Sequence, residues 1–336
     1  MRAWLAGLNL GLLMALCLGL GCPASAQDAQ AETIEDAPSV ENPIPLCEEN
    51  DADACTRAGF IHLEGDGVPR DEARGAELFA KACHFGSMRA CTMAGYLHSA
   101  GRGIELSPDR AASYYALACN GGEATGCSNL GLAYIGGDGV PKDPARAAQL
   151  FQQSCDKGGK DGCANLGASY SLGKGVKRDH RRAARLFGQA CDAGDQHACY
   201  NLGVHYRDGL GVPRNYKRAV SLFEPSCQAG DASACGNLGM MVDDGRGTGK
   251  DRQHALSLFE KACGLGEAES CFSLGRAYQT GHGRERDIAR AIELLERTLK
   301  LDPETSSAAG ATKALALAHA ESSASDAGEI TRSKEP

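Results

Sequence analysis

Residues 163–199 read CANLGASYSLGKGVKRDHRRAARLFGQACDAGDQHAC, and the spacing of cysteine and glycine along them decides the fold. Working outward from this stretch, the same grid covers most of the chain. The cysteines fall at Cys47/Cys55, Cys83/Cys91, Cys119/Cys127, Cys155/Cys163, Cys191/Cys199, Cys227/Cys235 and Cys263/Cys271, with partners 8 apart and successive pairs 36 apart. A fixed period of this length is the mark of a solenoid, in which each unit buries its apolar face against its neighbours.

The other residues of the stretch keep the same register. Gly167 lies inside a helical pattern, where glycine costs about 1 kcal/mol against alanine. Its recurrence at Gly59, Gly95, Gly131, Gly203, Gly239 and Gly275 predicts a contact between helices too close for a Cβ. The pair Gly173/Gly175 ends that helix, where positive φ is needed. Asp179 then opens a second helix as its N-cap, and Asp71, Ser107, Asp143, Asn215, Asp251 and Asp287 hold the same position. Pro108 and Pro144 follow their caps at the first helical position, which tolerates proline. Ala183 and Leu186/Phe187 form the buried face of this helix, as Ala147 with Leu150/Phe151, Ala219 with Leu222/Phe223 and Ala255 with Leu258/Phe259 do elsewhere. Gly194 marks its end. Each unit is therefore helix A, a glycine-rich turn, helix B and a short turn to the next A.

The pattern Asn-Leu-Gly-x-x-Tyr-x-x-Gly-x-Gly-Val-x-x-Asp-x-x-Arg-Ala-x-x-Leu-Phe-x-x-(Ala/Ser)-Cys resembles the Sel1-like repeat, a relative of the tetratricopeptide repeat. With paired cysteines and a leader, the chain is similar to the Helicobacter cysteine-rich proteins of that family. The resemblance covers roughly residues 47–300 and implies an all-α, right-handed α/α superhelical solenoid bridged by disulfides. Repeat seven departs from the pattern, with Leu299 where the closing cysteine would stand. The domain organisation expected is a signal peptide over 1–26, a polar linker over 27–46, seven repeats over 47–306 and an Ala/Ser-rich tail over 307–336. Within that tail, residues 311–320 could form a short capping helix.

Composition bounds the class. The chain has 336 residues, 16 Cys, 43 Gly and a formal charge of −8. Arg2, the apolar run from Ala3 to Gly21 and the A-x-A site Ala24-Ser25-Ala26 read as an export leader. Cys22 follows Gly19-Leu20-Gly21, which resembles a lipobox, so a lipid anchor at Cys22 competes with cleavage after Ala26. Either route makes the protein periplasmic or secreted, or else an outer-membrane lipoprotein. Cleavage after Ala26 deletes Arg2 and no acid, taking the formal charge from −8 to −9. Such an acidic chain is a poor partner for nucleic acid or anionic membranes. No segment beyond the leader is apolar enough for a transmembrane span.

Two cysteine connectivities suit a helical hairpin, at spacing 8 across the short turn or at spacing 28 across the hairpin. Spacing 8 uses all 14 repeat cysteines, whereas spacing 28 orphans Cys47 and Cys271. The family resemblance implies spacing 8 as well. Each nine-residue loop then stabilises the fold by roughly 2.5 kcal/mol on the chain-entropy estimate. A metal or cofactor is not expected. C-x-x-C and C-x-x-C-H are absent, and the 9 His do not run through the array at the 36-residue period.

The resemblance also implies an alternative function, penicillin binding with weak β-lactamase activity. S-x-x-K occurs at Ser171/Lys174 and Ser154/Lys157, but S-D-N and K-T-G do not occur. His205 and Tyr206 read as partly exposed face and packing, and Tyr134, Tyr170, Tyr206 and Tyr278 as core. The acidic run Glu48, Glu49, Asp51 and Asp53 reads as a solvated end, since it lacks calcium-loop spacing. A stronger candidate is Asn129, Asn165, Asn201 and Asn237, two residues after the second cysteine on successive A helices. A helices normally line the concave face of such a superhelix, where these amides could bond the backbone of a peptide or protein partner. They could equally bridge to the next repeat's backbone and serve folding. Tyr200, His205, Met240, Met241 and Phe272 stand beside them and would add an adhesive surface. The leading functional expectation is an exported, non-catalytic scaffold whose concave groove holds a peptide.

Overall fold

The computed structural model describes residues 43–304 and 306–332. The expected leader 1–26, with Cys22, lies outside the described residues, as does most of the 27–46 linker. The described chain is entirely helical, with no strand. After α1 (Pro43–Glu48), the A helices are α2 (Ala52–Glu64), α4 (Met88–Ala100), α6 (Ala124–Gly136), α8 (Lys160–Leu172), α10 (Gln196–Asp208), α12 (Ala232–Asp244) and α14 (Ala268–Thr280). The B helices alternating with them are α3 (Glu72–His84), α5 (Pro108–Asn120), α7 (Pro144–Asp156), α9 (His180–Asp192), α11 (Tyr216–Gln228), α13 (Arg252–Gly264) and α15 (Ile288–Leu301). They stack as a right-handed α/α superhelical solenoid, in which A helices of successive repeats also touch one another, α4 with α6 and α6 with α8. The A layer is thus the inner side of the curve.

The helix-A glycine explains how each hairpin closes. A Cβ on Gly203 would stand 2.6 Å from the ring of Phe223, and one on Gly131 2.5 Å from Phe151. The same contact recurs between Gly59 and Phe79, Gly167 and Phe187, and Gly239 and Phe259, with Tyr115 and Leu295 replacing phenylalanine opposite Gly95 and Gly275. The ring of helix B lies on bare backbone of helix A, and Phe79, Phe151 and Phe223 are buried to 2% exposure or less.

Capping follows the sequence reading. Asp71, Asp143, Asp179, Asn215, Asp251 and Asp287 each accept a bond from a first-turn amide of their B helix, while Ser107 occupies the cap position without such a bond. Pro108 and Pro144 sit in the first turn. The A helices carry caps of their own that the sequence reading did not single out. Asp51, Ser87, Glu123, Asp195, Asp231 and Glu267 accept from a first-turn amide of the A helix that follows.

Between hairpins the second glycine of each G-x-G makes the contact. A Cβ on Gly175 would fall 2.0 Å from the Pro144 carbonyl oxygen, and one on Gly211 2.2 Å from the carbonyl carbon of His180. Each turn therefore rests on the first turn of the preceding B helix. Gly67, with no repeat before it, meets nothing there.

The disulfides close the other end of each junction. They are Cys47–Cys55, Cys83–Cys91, Cys119–Cys127, Cys155–Cys163, Cys191–Cys199, Cys227–Cys235 and Cys263–Cys271, all at spacing 8, with Cα atoms 4.4 to 4.7 Å apart. Each joins the end of one helical unit to the first turn of the next A helix. The second cysteine of a pair faces inward: Cys55, Cys91, Cys127, Cys163, Cys199, Cys235 and Cys271 are all buried. Cys91, Cys127, Cys199 and Cys235 pack among the alanines and leucines of four separate core clusters. These sulfurs are therefore core groups that fasten the repeats. Spacing alone does not distinguish a buried clamp from an exposed one. The burial arises because the first turn of helix A lies directly on the end of the B helix before it. Lys81 and Lys261 also donate from Nζ, at 2.7 Å, to the carbonyls of Cys47 and Cys227 at the end of the preceding helical unit. Cations there complement the helix dipole.

At the far end, α16 (Ser306–Arg332) takes the place of an eighth A helix. It packs on α14 and α15 through buried Ala308, Ala311, Ala314 and Ala318, and Gln279 Nε2 donates to the Ala314 carbonyl at 2.9 Å. Leu299, the residue at the vacant cysteine register, packs in the same cluster.

Gly203→Ala should lower the midpoint of chemical denaturation, with about 1–3 kcal/mol lost to overpacking against Phe223. Gly188→Ala, on α9 with nothing within 4 Å of the added methyl, should raise it by up to about 1 kcal/mol. Equal effects would show that the ring contact does not set the hairpin. Peptide mapping without reductant should return only linkages at spacing 8; a fragment joining Cys55 to Cys83 would contradict the clamp between hairpins.

Candidate functional site

On each A helix the asparagine register and the position three residues later share one face. That second position carries Phe60, Tyr96, Leu132, Ala168, Val204 and Met240 in six successive repeats, and Arg276 in the seventh. Tyr96 and Leu132 are 42% and 46% exposed, large values for apolar side chains in the middle of an array. Arg89 lies 5.1 Å from the centre of the Phe60 ring and covers the first member. The inner face thus presents a row of amides beside an apolar row.

The four amides are not equivalent. Asn165 Nδ2 donates to Ser128 Oγ of the preceding repeat at 3.3 Å. Asn237 Nδ2 donates to Tyr200 OH at 3.1 Å and to the Ser233 carbonyl at 2.9 Å, and its Oδ1 accepts from Arg207. The folding role weighed for this register is real for these two, but the partner is a side chain of the preceding repeat and not backbone of the next one. Asn129 and Asn201 make no hydrogen bond among the described residues. The cause is the residue 37 positions earlier. The hydroxyl of Thr92, opposite Asn129, donates to the Met88 carbonyl at 3.3 Å, and Ala164, opposite Asn201, has none to offer.

Asn129 borders a cleft of about 510 Å³ between the second and third repeats. Leu106, Pro108, Tyr115 and Leu132 supply apolar walls, and Asp138 stands at its edge. The hydroxyls of Ser99 and Tyr115 bond each other at 3.2 Å, so the Asn129 amide and the Asp138 carboxylate remain the polar groups open to a ligand.

The flanking residues divide between surface and core. Met240 is half-buried on the inner row, Tyr200 is half-buried and bonded to Asn237, and Met241 is 2% exposed in the core. Phe272 packs against α16, where a Cβ on Gly310 would stand 2.8 Å from its ring. Tyr134, Tyr170, Tyr206 and Tyr278 are half-buried and pack against the core clusters. His62 and His98 occupy their register in the first two repeats, and His98 stacks on Tyr114 at 5.5 Å. Of the acidic run, Asp51 caps α2 and the others are exposed.

His205 corrects the expectation of a partly exposed side chain, being 3% exposed. Its register carries Leu97, Ala133, Met241 and Ala277 in other repeats, all buried, which is the sequence signal that placed it inside. The ring faces His180 at 5.7 Å and Phe187 at 5.4 Å. His205 Nδ1 lies 2.8 Å from the Leu210 carbonyl oxygen and therefore carries the proton, so Nε2 accepts from the Ser171 hydroxyl at 3.2 Å. Burial pushes the imidazole pKa below its ordinary value, and the nearby His180 adds to the effect.

Serine, imidazole and a backbone carbonyl in a row have the connectivity of a nucleophile and its oriented base. The rest of an acyl-transfer site does not converge on them. None of the clefts described borders Ser171, and Lys174 extends into solvent. Ser154 is fully buried beneath Gly159 and Gly162, and its Oγ has no hydrogen-bond partner. In neither S-x-x-K match does the lysine Nζ bond the serine hydroxyl: Ser171 Oγ bonds His205, and Ser154 Oγ has no partner. Among the described residues no group of His, Cys, Asp and Glu is arranged to hold a metal ion.

The Sel1 repeat family model matches residues 52–84, 89–123, 124–159, 160–195, 196–231, 232–267 and 268–302. Among solved structures the chain is similar to a protective antigen present in uropathogenic Escherichia coli strains displaying an SLR fold, at 26% identity and a TM-score of 0.69. That match covers 77% of this chain, which spans 56% of the antigen's length. A Sel1 repeat protein from Oxalobacter formigenes is similar at 26% identity and a TM-score of 0.67, over 74% of this chain and 100% of that one. Cysteine rich protein B of Helicobacter pylori is 31% identical over 40% of this chain and 97% of its own, with a TM-score of 0.33. No curated protein matches the chain. Seven consecutive matches over units that fold as A–B hairpins carry one conclusion: the chain belongs to the Sel1 repeat family.

Proposed function

We propose that this protein is an exported, non-catalytic scaffold whose inner A-helix face holds an extended peptide segment of a protein partner. The observation that carries the reading is the pairing of free amides with an apolar row: Asn129 and Asn201 lie on the same helical face as Leu132 and Val204, three residues further on. A primary amide offers a donor and an acceptor together, so it can pair with the N–H and C=O of one peptide unit whatever its side chain. The apolar row supplies the burial that favours association, and the cleft beside Asn129 gives one side chain of the peptide a place of its own.

Compartment fits the reading. Seven disulfides belong to an oxidising environment, and the leader-like residues 1–26 supply a route out of the cytosol to the periplasm or beyond. No described helix is long and apolar enough to cross a membrane.

On a peptide array, Asn129→Ala/Asn201→Ala should weaken the bound peptides by about tenfold, on roughly 0.5–1.5 kcal/mol for each lost hydrogen bond. Asn165→Ala/Asn237→Ala should instead lower thermal stability and leave peptide affinity within about threefold, because those amides already serve the solenoid. Unchanged binding by the first double variant removes the amides from the site, and Leu132→Asp with unchanged binding removes the apolar row.

A further inference from the structure

A cleft wider than the one beside Asn129 lies between the B helices α7 and α9. Its volume is about 700 Å³, and its lining includes the Cys155–Cys163 disulfide, Tyr170 and Leu186. Three cations border it: Lys160, Arg182 and Arg185. The single acid in the lining, Asp156, already accepts from Gln152 Nε2 at 2.7 Å. The lining therefore sets three cations against one carboxylate, in a chain whose net charge is −8.

The repeat itself shows which of these cations the fold needs. Arg182 sits at a register that is arginine in every repeat but one, where His254 stands. It is held in place, with Nη1 donating to Tyr170 OH at 2.9 Å, the guanidinium 5.3 Å from that ring's centre, and Nε 3.6 Å from Asp179 Oδ2. Lys160 and Arg185 are departures. At the register of Lys160 the other repeats carry only Ala, Met or Gln, and at the register of Arg185 only Glu, Ser or Gln. Arg185 makes no ion pair among the described residues, and Lys160 reaches only the Gly194 carbonyl, at 3.4 Å. In a solenoid, residues that keep the register build the hairpins and the junctions. Two cations that break it in the lining of one cleft, in the same repeat, answer to a ligand.

We propose that the α7/α9 cleft is a second binding site, one that takes an acidic segment of a protein partner. The guanidinium of Arg185 would grip a carboxylate through two parallel N–H bonds, with Lys160 as a point charge for the next acid. Arg182, fixed on Tyr170, supplies a flat cationic edge between them. The cleft is open along its length, which suits side chains carried on a chain better than a small anion needing enclosure. The neutral floor of Leu186, Tyr170 and the disulfide leaves room for an apolar residue among the acids.

The test is fluorescence anisotropy with the oxidised full-length protein and a labelled peptide of alternating Glu and Ala, against the same peptide with Gln for Glu. The Glu peptide should bind at least tenfold more tightly than the Gln peptide, which keeps only the sequence-tolerant binding of the inner face. Lys160→Gln/Arg185→Gln should weaken binding at least tenfold, and Arg185→Lys should recover only part of it, since lysine lacks the fork. Both side chains are exposed, so an unchanged denaturation midpoint is expected and confirms that the variant is folded. Asn129→Ala/Asn201→Ala should leave the preference for the Glu over the Gln peptide unchanged, which separates this site from the inner-face groove. Equal binding of the Gln peptide, an unaffected double variant, or displacement by inorganic phosphate at concentrations no higher than those of the peptide would overturn the proposal.

Discussion

The architecture of this molecule depends on an aromatic ring packed directly against a glycine. The ring is the phenylalanine of helix B, and the glycine interrupts helix A where any other residue would hold the helices apart. Helix–helix distance is set by the side chains at the crossing. Deleting one of them down to hydrogen lets the ring fill the interface and bury completely. The cost is about 1 kcal/mol of helix propensity per glycine, against roughly 1.5–3 kcal/mol for burying a large apolar side chain. Because that contact fixes the hairpin, it also fixes where the G-x-G turn emerges and how the next hairpin must sit.

The junctions follow from the turn. Its second glycine lies on the backbone of the preceding B helix, and the disulfide closes the opposite end of the same junction. Each repeat is then held to its neighbour at two separated points, with the A-helix caps and the lysines at Cys47 and Cys227 satisfying the polar groups between them. Repeat proteins gain stability from nearest-neighbour terms, so stiffness at each junction sums along the array. The inner face therefore holds its amides and apolar row at a fixed spacing, which would lower the ordering cost of the peptide binding we propose.

Most of this architecture was legible in the cysteine and glycine grid, because each recurrent residue answers a local need that elementary stereochemistry dictates. The hairpins, the B-helix caps and the disulfide pairing needed nothing more. What escaped was relational. Positive φ accounts for both glycines of G-x-G, and nothing within one repeat says that Gly175 must also lie against Pro144. Nor does the spacing of Cys91, Cys127, Cys199 or Cys235 from its partner say that its sulfur is sealed in the core. The asparagine register looked uniform, yet whether an amide is free turns on a residue in the preceding repeat: Ser128 and Tyr200 engage Asn165 and Asn237, while Thr92 and Ala164 leave Asn129 and Asn201 open. His205 read as partly exposed. Its register, apolar or small in other repeats, placed it inside, where a serine and a carbonyl satisfy its two nitrogens.

The spacing of the disulfides has a consequence for how the chain is made. Each cysteine's partner is the nearest cysteine along the chain on one side, eight residues away, and never one from a distant repeat. Loop closure favours short separations, so the native partner is also the one met first and most often. As a chain emerges into an oxidising compartment one hairpin at a time, each bond can close before the next pair of thiols arrives. The pairing problem that burdens other cysteine-rich proteins is divided into seven small ones, each confined to nine residues of chain. A solenoid built this way is proofread by its own geometry as it lengthens.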